Sequence, residues 1–429
     1  MSSTKIDFSP GSKNWIAKFF ELLDRGVFGI DDDLIHQKES NLTHFISHQT
    51  GLIYGTSKSF IFSNTLDKKS FNPDEQLQLL LFETLLFTYI RKQQKPTNAK
   101  AFTDILLSFY KGYEGANLID RIKYKTSSQA TNQLEVLLAS RVGIKSSFLG
   151  ANYWLNHLSN AFIFLDVILF RAFLEGEQAP FVDNYQRYTS SVLNGLIYVA
   201  LVDGKVEEKE RKILKHFIAS AALPLALKKS YNERIKVGIP FKLLQQELVK
   251  DELLAQITFE FGHLLLQSTH VIAPRERQKL AALGSALDLN TAQMLLSEEM
   301  CLAFIAQSGP KELLVYKQST EASFAFKETS KRWLRIIGRN RDRLLTEMRE
   351  SKDLMALLQK STKEDLSPEE KEQVKDQFYD ILKSMPSLAL FLLPGGSLLL
   401  PIVMKLVPEL IPSAFKVNEV EKKHTEDEL

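Results

Sequence analysis

Apolar residues recur through most of this chain at the three-to-four-residue spacing of amphipathic helices. Residues Pro73 to Gln94 carry proline at the first position, acids in the first turn and bases in the last, an order that suits the helix dipole. A second helix is expected from Asn132 to Ser140 and a third from Ala151 to Phe173. The third is apolar nearly all round, the mark of a buried helix. His157, Asp166 and Arg171 interrupt it, which favours a core element over a membrane span. One short stretch reads differently: Thr50 to Asn64 sets β-branched and aromatic residues between glycines, and a hairpin is expected there.

Glu175 to Asn184, rich in Gly, Pro and charge, is the expected domain boundary. Beyond it, Tyr188 to Pro224 reads as a helix, an Asp203-Gly204 turn and a helix with acids in its first turn. A second joint is expected at residues 308–312, followed by one long helix from Phe326 to Gln359. Lys331, Arg335, Arg339 and Arg343 are four apart and line one side of it, opposite Trp333, Ile337 and Leu344. Ser367, Pro368, Glu369 and Glu370 begin another helix, which runs to Ser384. The reading is all-α: an N-terminal helical region (1–175), a helical domain (186–300), charged helices (312–383), an apolar segment (384–415) and a polar tail (416–429).

The apolar segment sets the location. Ser384 to Met404 is free of charge over about 21 residues, roughly 31 Å as a straight helix, the thickness of a hydrocarbon core. Pro386, Pro394, Pro401, Pro408 and Pro412 punctuate the segment, the middle three seven apart and so on nearly one helical face. Gly395-Gly396 loosens it further. Such a broken helix is stable in lipid only where neighbours or water satisfy the freed carbonyls. Lysines flank the run on both sides and leave its orientation open. Net charge is +2, so bulk polyanion binding, and DNA with it, is not expected. Cys301 is the sole cysteine, which excludes an internal disulfide and fits a reducing compartment. No secretory h-region precedes the chain's helices, so the bulk is expected in the cytoplasm of a membrane-anchored protein.

Candidate chemistry is sparse. Asp203, Glu207 and Glu210, joined by Glu276, offer oxygen ligands for a divalent cation such as Ca²⁺; a turn and a favourable helix start explain them equally. The alternation of an EF-hand is absent. His44 and His48 share one helical face at the spacing of a zinc pair, but no glutamate completes a His-Glu-x-x-His motif. Phosphate-binding and nucleophile-elbow motifs are missing, and nothing pairs the carboxylates for acid–base work, so no enzyme activity is expected. The basic stripe is a solvated face or a contact for anionic headgroups.

Two resemblances follow from particular residues. The order Asp353 to Lys360, an acidic spacer, Phe378 to Leu382, then the proline-punctuated segment closing in Ile411-Pro412-Ser413-Ala414-Phe415 resembles the LETM family (leucine zipper, EF-hand, transmembrane), and is most similar to its bacterial, biofilm-associated type. That resemblance implies a bacterial inner-membrane protein with lipid and protein partners, serving as scaffold or sensor in biofilm growth or cation homeostasis. Cation/proton exchange and a soluble, ribosome-associated role are the alternatives it leaves. Ser397 stands where mitochondrial members carry a glutamate, and 14 residues follow Phe415 where they continue into a ribosome-binding-like domain. Neither exchange nor a ribosome partner is therefore expected. Val202 to Val206 with Glu210-Arg211 resembles the turn of TerB-type (tellurite-resistance) helical domains, and Gln267 to Leu289 resembles their second half, setting Glu276-Arg277 opposite Glu210-Arg211. This resemblance implies metal binding by the acids near the turns.

Overall fold

The computed structural model describes residues 8–30, 42–93, 98–113, 115, 118–127, 129–144, 158, 160–201, 206–267, 272–308, 341–361, 366–367, 369–370, 373–374, 376–377 and 381. Among them are 16 α-helices and no strand, so the all-α expectation holds. The chain divides into two compact units, Met1–Lys331 and Arg332–Leu429.

In the first unit α1 (Trp15–Asp24), α2 (Leu42–Thr50), α3 (Pro73–Gln93), α4 (Ala99–Phe109), α5 (Leu118–Thr126) and α6 (Ala130–Val142) build the N-terminal half. The α3 start is held as its sequence implies. Asn72 Oδ1 accepts from the Asp74 and Glu75 amides, and Glu75 accepts from the Asn72 amide, a reciprocal cap. From Leu77 to Thr88 every α3 side chain is buried, because α2, α6 and α7 (Phe164–Leu174) pack around it. An aromatic cluster of Trp15, Phe19, Phe20, Phe82 and Phe102 meets edge-on at ring separations of 5.0 to 6.3 Å, the preferred geometry for such pairs.

Thr50 to Asn64 is not a hairpin. Gly51 and Gly55 both take left-handed φ, 85° and 65°, around a short 3₁₀ turn at Leu52–Tyr54. The amides of Ile61, Phe62 and Ser63, which a partner strand would have satisfied, instead donate to the buried Glu83 carboxylate of α3. Ser63 Oγ donates to it as well.

Of the helix expected at 151–173, residues 164–173 are helical, within α7, while 160–163 form a turn and 151–157 lie outside the described residues; the charge of α7 is anchored in the core. Arg141 of α6 grips Asp166 with two parallel bonds of 2.7 and 2.8 Å, and Tyr110 donates a third at 2.8 Å. The guanidinium lies 4.5 to 5.1 Å from the ring centres of Tyr113, Phe181 and Tyr185, so its faces are covered by π-systems. Glu175 to Pro180 is the turn between α7 and α8 (Phe181–Ala200), and Phe181 packs back on Phe109 and Tyr110, so one core runs through both sides of it.

The C-terminal half of this unit adds α9 (Glu208–Ser220), α10 (Leu225–Val237), α11 (Phe241–Glu247), α12 (Glu252–Gln267), α13 (Pro274–Ala286) and α14 (Thr291–Ser308). Helices α8 and α12 cross at small residues. A methyl at Gly195 would come within 2.8 Å of Thr258 Cγ2, so this close approach needs glycine. Each crossing helix is followed by its own short partner, α9 after α8 and α13 after α12, and α14 packs along α12.

In the second unit the long helix expected over 326–359 is broken in its described part into α15 (Arg341–Glu350) and α16 (Lys352–Ser361). Ser351 sits at the break; its hydroxyl accepts from the Leu354 amide and donates to Gln377, starting the second helix afresh. At Ser367 the expected helix start is present, with the Glu370 amide donating to Ser367 Oγ and the Ser367 amide to Glu370.

Candidate metal centre

Helix α2 places His44 and His48 one turn apart on its buried side, and both rings are closed off from solvent. The residue that meets them is Glu260, 1% exposed, in the middle of α12. His44 Nε2 lies 2.9 Å from Glu260 Oε1, and His48 Nε2 lies 2.8 Å from Oε2. The rings are perpendicular at 4.7 Å, so each nitrogen faces its own carboxylate oxygen. Both contacts have the length of an ion pair, and His48 Nε2 and both Glu260 oxygens lack a well-aligned hydrogen bond. Among the described residues this is the set of three His, Cys, Asp or Glu ligands whose atoms lie within 4.8 Å of one another.

The electrostatics of the centre are those of a fixed anion. Burial pushes the Glu260 carboxyl up, but the two imidazoles outweigh it and hold the group down at about 2. Burial pushes His48 below its ordinary value, against the attraction of Glu260. The neighbouring helices bring further buried polar residues. Gln256 and His263 lie on the same stripe of α12 as Glu260, and Ser297, Glu298 and Cys301 come from α14. Gln256 is fully buried with neither amide atom hydrogen-bonded. His263 Nε2 is 3.7 Å from Glu298. Burial pushes the Cys301 thiol up, and the charges of Glu260 and Glu298 push it further; burial, Glu260 and Cys301 do the same to the Tyr54 hydroxyl.

The acidic set expected from sequence lies elsewhere in the same unit. Glu207 precedes α9, Glu210 is in its first turn, and Glu276 occupies the equivalent place in α13. Glu210 accepts from the Glu207 amide and Glu276 from the Ala273 amide, the same cap in both helices. Burial, then the charges of Glu207 and Glu276, push the Glu210 carboxyl up to about 7, which places the two capping glutamates in each other's field. Asp203 lies outside the described residues. So do Lys331, Arg335 and Arg339 of the basic stripe, while Arg343 falls in α15. Pro386, Pro394, Gly395, Gly396, Ser397, Pro401, Pro408, Pro412 and Phe415 also lie outside them. Among the described residues no helix is long and apolar enough to cross a membrane.

Sequence reasoning paired the histidines and missed the glutamate, because it looked for the third ligand within the motif. A signal was present: Gln256, Glu260 and His263 recur at i, i+4 and i+7 in a helix otherwise filled with Leu, Ile and Phe. A polar stripe in a buried helix requires a polar partner on another element.

Against known proteins, residues 366–429 match the family model described as LETM1-like, RBD. The match includes the proline-punctuated segment and continues to the last residue, past the Ile411–Phe415 box. No curated protein and no solved structure matches the chain.

Proposed function

We propose that this is a LETM-like, membrane-associated protein of cation homeostasis, without enzymatic activity, whose helical body serves as a sensor or scaffold for the C-terminal segment. The observation that carries the reading is the LETM1-like match over residues 366–429, laid on the one uncharged run long enough to cross a bilayer. The internal pairing of α8–α9 with α12–α13, and of Glu210 with Glu276, supports a TerB-like body that takes a divalent cation at its turns. Exchange of cations for protons by this chain alone is disfavoured, because no ionisable side chain lies between Ser384 and Met404. The test is alkaline carbonate extraction of membranes expressing the full chain and a deletion of residues 384–415. The full chain should stay in the pellet and the deletion should be released; a full chain released by carbonate without detergent overturns the reading.

A second reading is favoured by the match to a LETM1-like RBD, a ribosome-binding type of domain. In it, the segment after the apolar run contacts ribosomes. Co-sedimentation with ribosomes on sucrose gradients, lost when residues 405–429 are removed, would support it in preference to a lipid-only role.

A further inference from the structure

We propose that His44, His48 and Glu260 are the protein ligands of one first-row divalent transition-metal ion, with Zn²⁺ the best fit, enclosed in the helical body. The inference rests on the first unit alone and is independent of the membrane reading. Three observations carry it. Two imidazole nitrogens and one carboxylate oxygen converge from helices far apart in sequence to within 4.8 Å of one another. Zinc bonds of about 2.0–2.2 Å set tetrahedral ligands about 3.3 Å apart. The observed 2.8 and 2.9 Å contacts therefore need to open by only a few tenths of an ångström. That adjustment lies within side-chain rotamer freedom.

The second observation concerns His48 and Glu260. His48 Nε2 and both Glu260 oxygens are buried and without hydrogen-bond partners. In a purely structural histidine–carboxylate contact each ring N–H would point at its oxygen, since leaving buried polar groups unmade is costly. Two imidazole nitrogens facing one carboxylate at 2.8 and 2.9 Å are a donor set that a cation can take up.

The third is the neighbour. Gln256 stands one turn before Glu260 on the same stripe of α12, fully buried, with its amide oxygen and nitrogen both unpartnered. Its oxygen is a fourth ligand by type, or the acceptor for a metal-bound water. The donor set also selects the ion. Ca²⁺ and Mg²⁺ take oxygen ligands, whereas two imidazoles with one carboxylate suit Zn²⁺, Fe²⁺ and their neighbours. Burial of all three ligands points to a closed, structural site rather than one open to a substrate.

The experiment uses the untagged full chain, in detergent, stripped with a chelator and dialysed. Zn²⁺, Co²⁺, Ca²⁺ and Mg²⁺ are then titrated separately. Elemental analysis should find one Zn²⁺ per chain, Zn²⁺ should raise the melting temperature, and Co²⁺ should give the visible bands of a nitrogen- and oxygen-ligated ion. Ca²⁺ and Mg²⁺ should displace neither the bound Zn²⁺ nor the cobalt spectrum. Glu260→Gln and His48→Gln should lose both the bound ion and the cobalt spectrum, while Glu210→Gln should keep both. A wild-type chain with no zinc-dependent shift and no cobalt spectrum overturns the proposal without recourse to any variant. So does retention of the spectrum by His48→Gln, or its loss in Glu210→Gln alone, which would place the ion at the acidic turns.

Discussion

Two buried carboxylates in the same helical body are treated in opposite ways. Asp166 has both oxygens occupied, by two bonds from Arg141 and one from Tyr110, and the guanidinium is itself walled by aromatic rings. Glu260 is equally buried, yet its oxygens meet two imidazoles without a hydrogen bond. The first arrangement is closed: each charge is neutralised and hydrogen-bonded within the chain, so the site is structural. The second is short of hydrogen bonds, and the partner that completes it is a cation. Burial alone therefore does not separate a self-sufficient charge from a metal ligand; the count of satisfied lone pairs does.

The sharpest way to break this contrast is to cut the closed pair. Asp166→Ala leaves Arg141 buried without its anion and should cost about 3–5 kcal/mol in urea unfolding, with zinc binding retained. A loss below about 1 kcal/mol would mean that the pair is dispensable and the contrast misplaced. Next in size is Glu83→Ala. It strands three amides and one hydroxyl in the 61–63 turn and should cost about 2–4 kcal/mol by the same measurement.

Glu210 sharpens the comparison through pH. Its folded value, about 7, lies above the ordinary value of 4.5, so the folded state holds the proton more tightly than the unfolded one. Its contribution is present in full below about 4.5 and is lost as pH rises through 7, a change of at most roughly 3 kcal/mol. Melting temperatures from pH 4.5 to 8 should fall less steeply in Glu210→Gln than in the wild type; parallel curves would remove Glu210 from the account. At the Glu260 site burial pushes the carboxyl up, but the imidazoles of His48 and His44 hold it down at about 2, so its charge stabilises the fold even without an ion. In chelator-treated protein Glu260→Gln should therefore lower the melting temperature, and added Zn²⁺ should widen the gap between wild type and variant. An equal gap with and without Zn²⁺ would show that the two sites are alike.

Much of the architecture was legible from pattern. The cap at Ser367 and the helices from Pro73 and around Asn132 follow from propensity and capping, which act within a few residues. The buried character of α7 followed from its all-round apolar surface. Local signals failed where a distant group intervened. The 61–63 amides bond to Glu83 rather than to a strand, and Ser351 restarts a helix that periodicity ran straight through.

By itself the sequence determined the all-helical class, the proline-punctuated apolar run with its family match, and the turn-and-cap repeat around Glu210 and Glu276. Each depends on residues close together in the chain, whose spacing is the physical cause. Only the tertiary structure decided that Glu260 faces His44 and His48, and that Asp166 belongs to Arg141. Those partnerships arise from the packing of α12 and α7 against elements far away in sequence, where distance and direction, not periodicity, choose the partner.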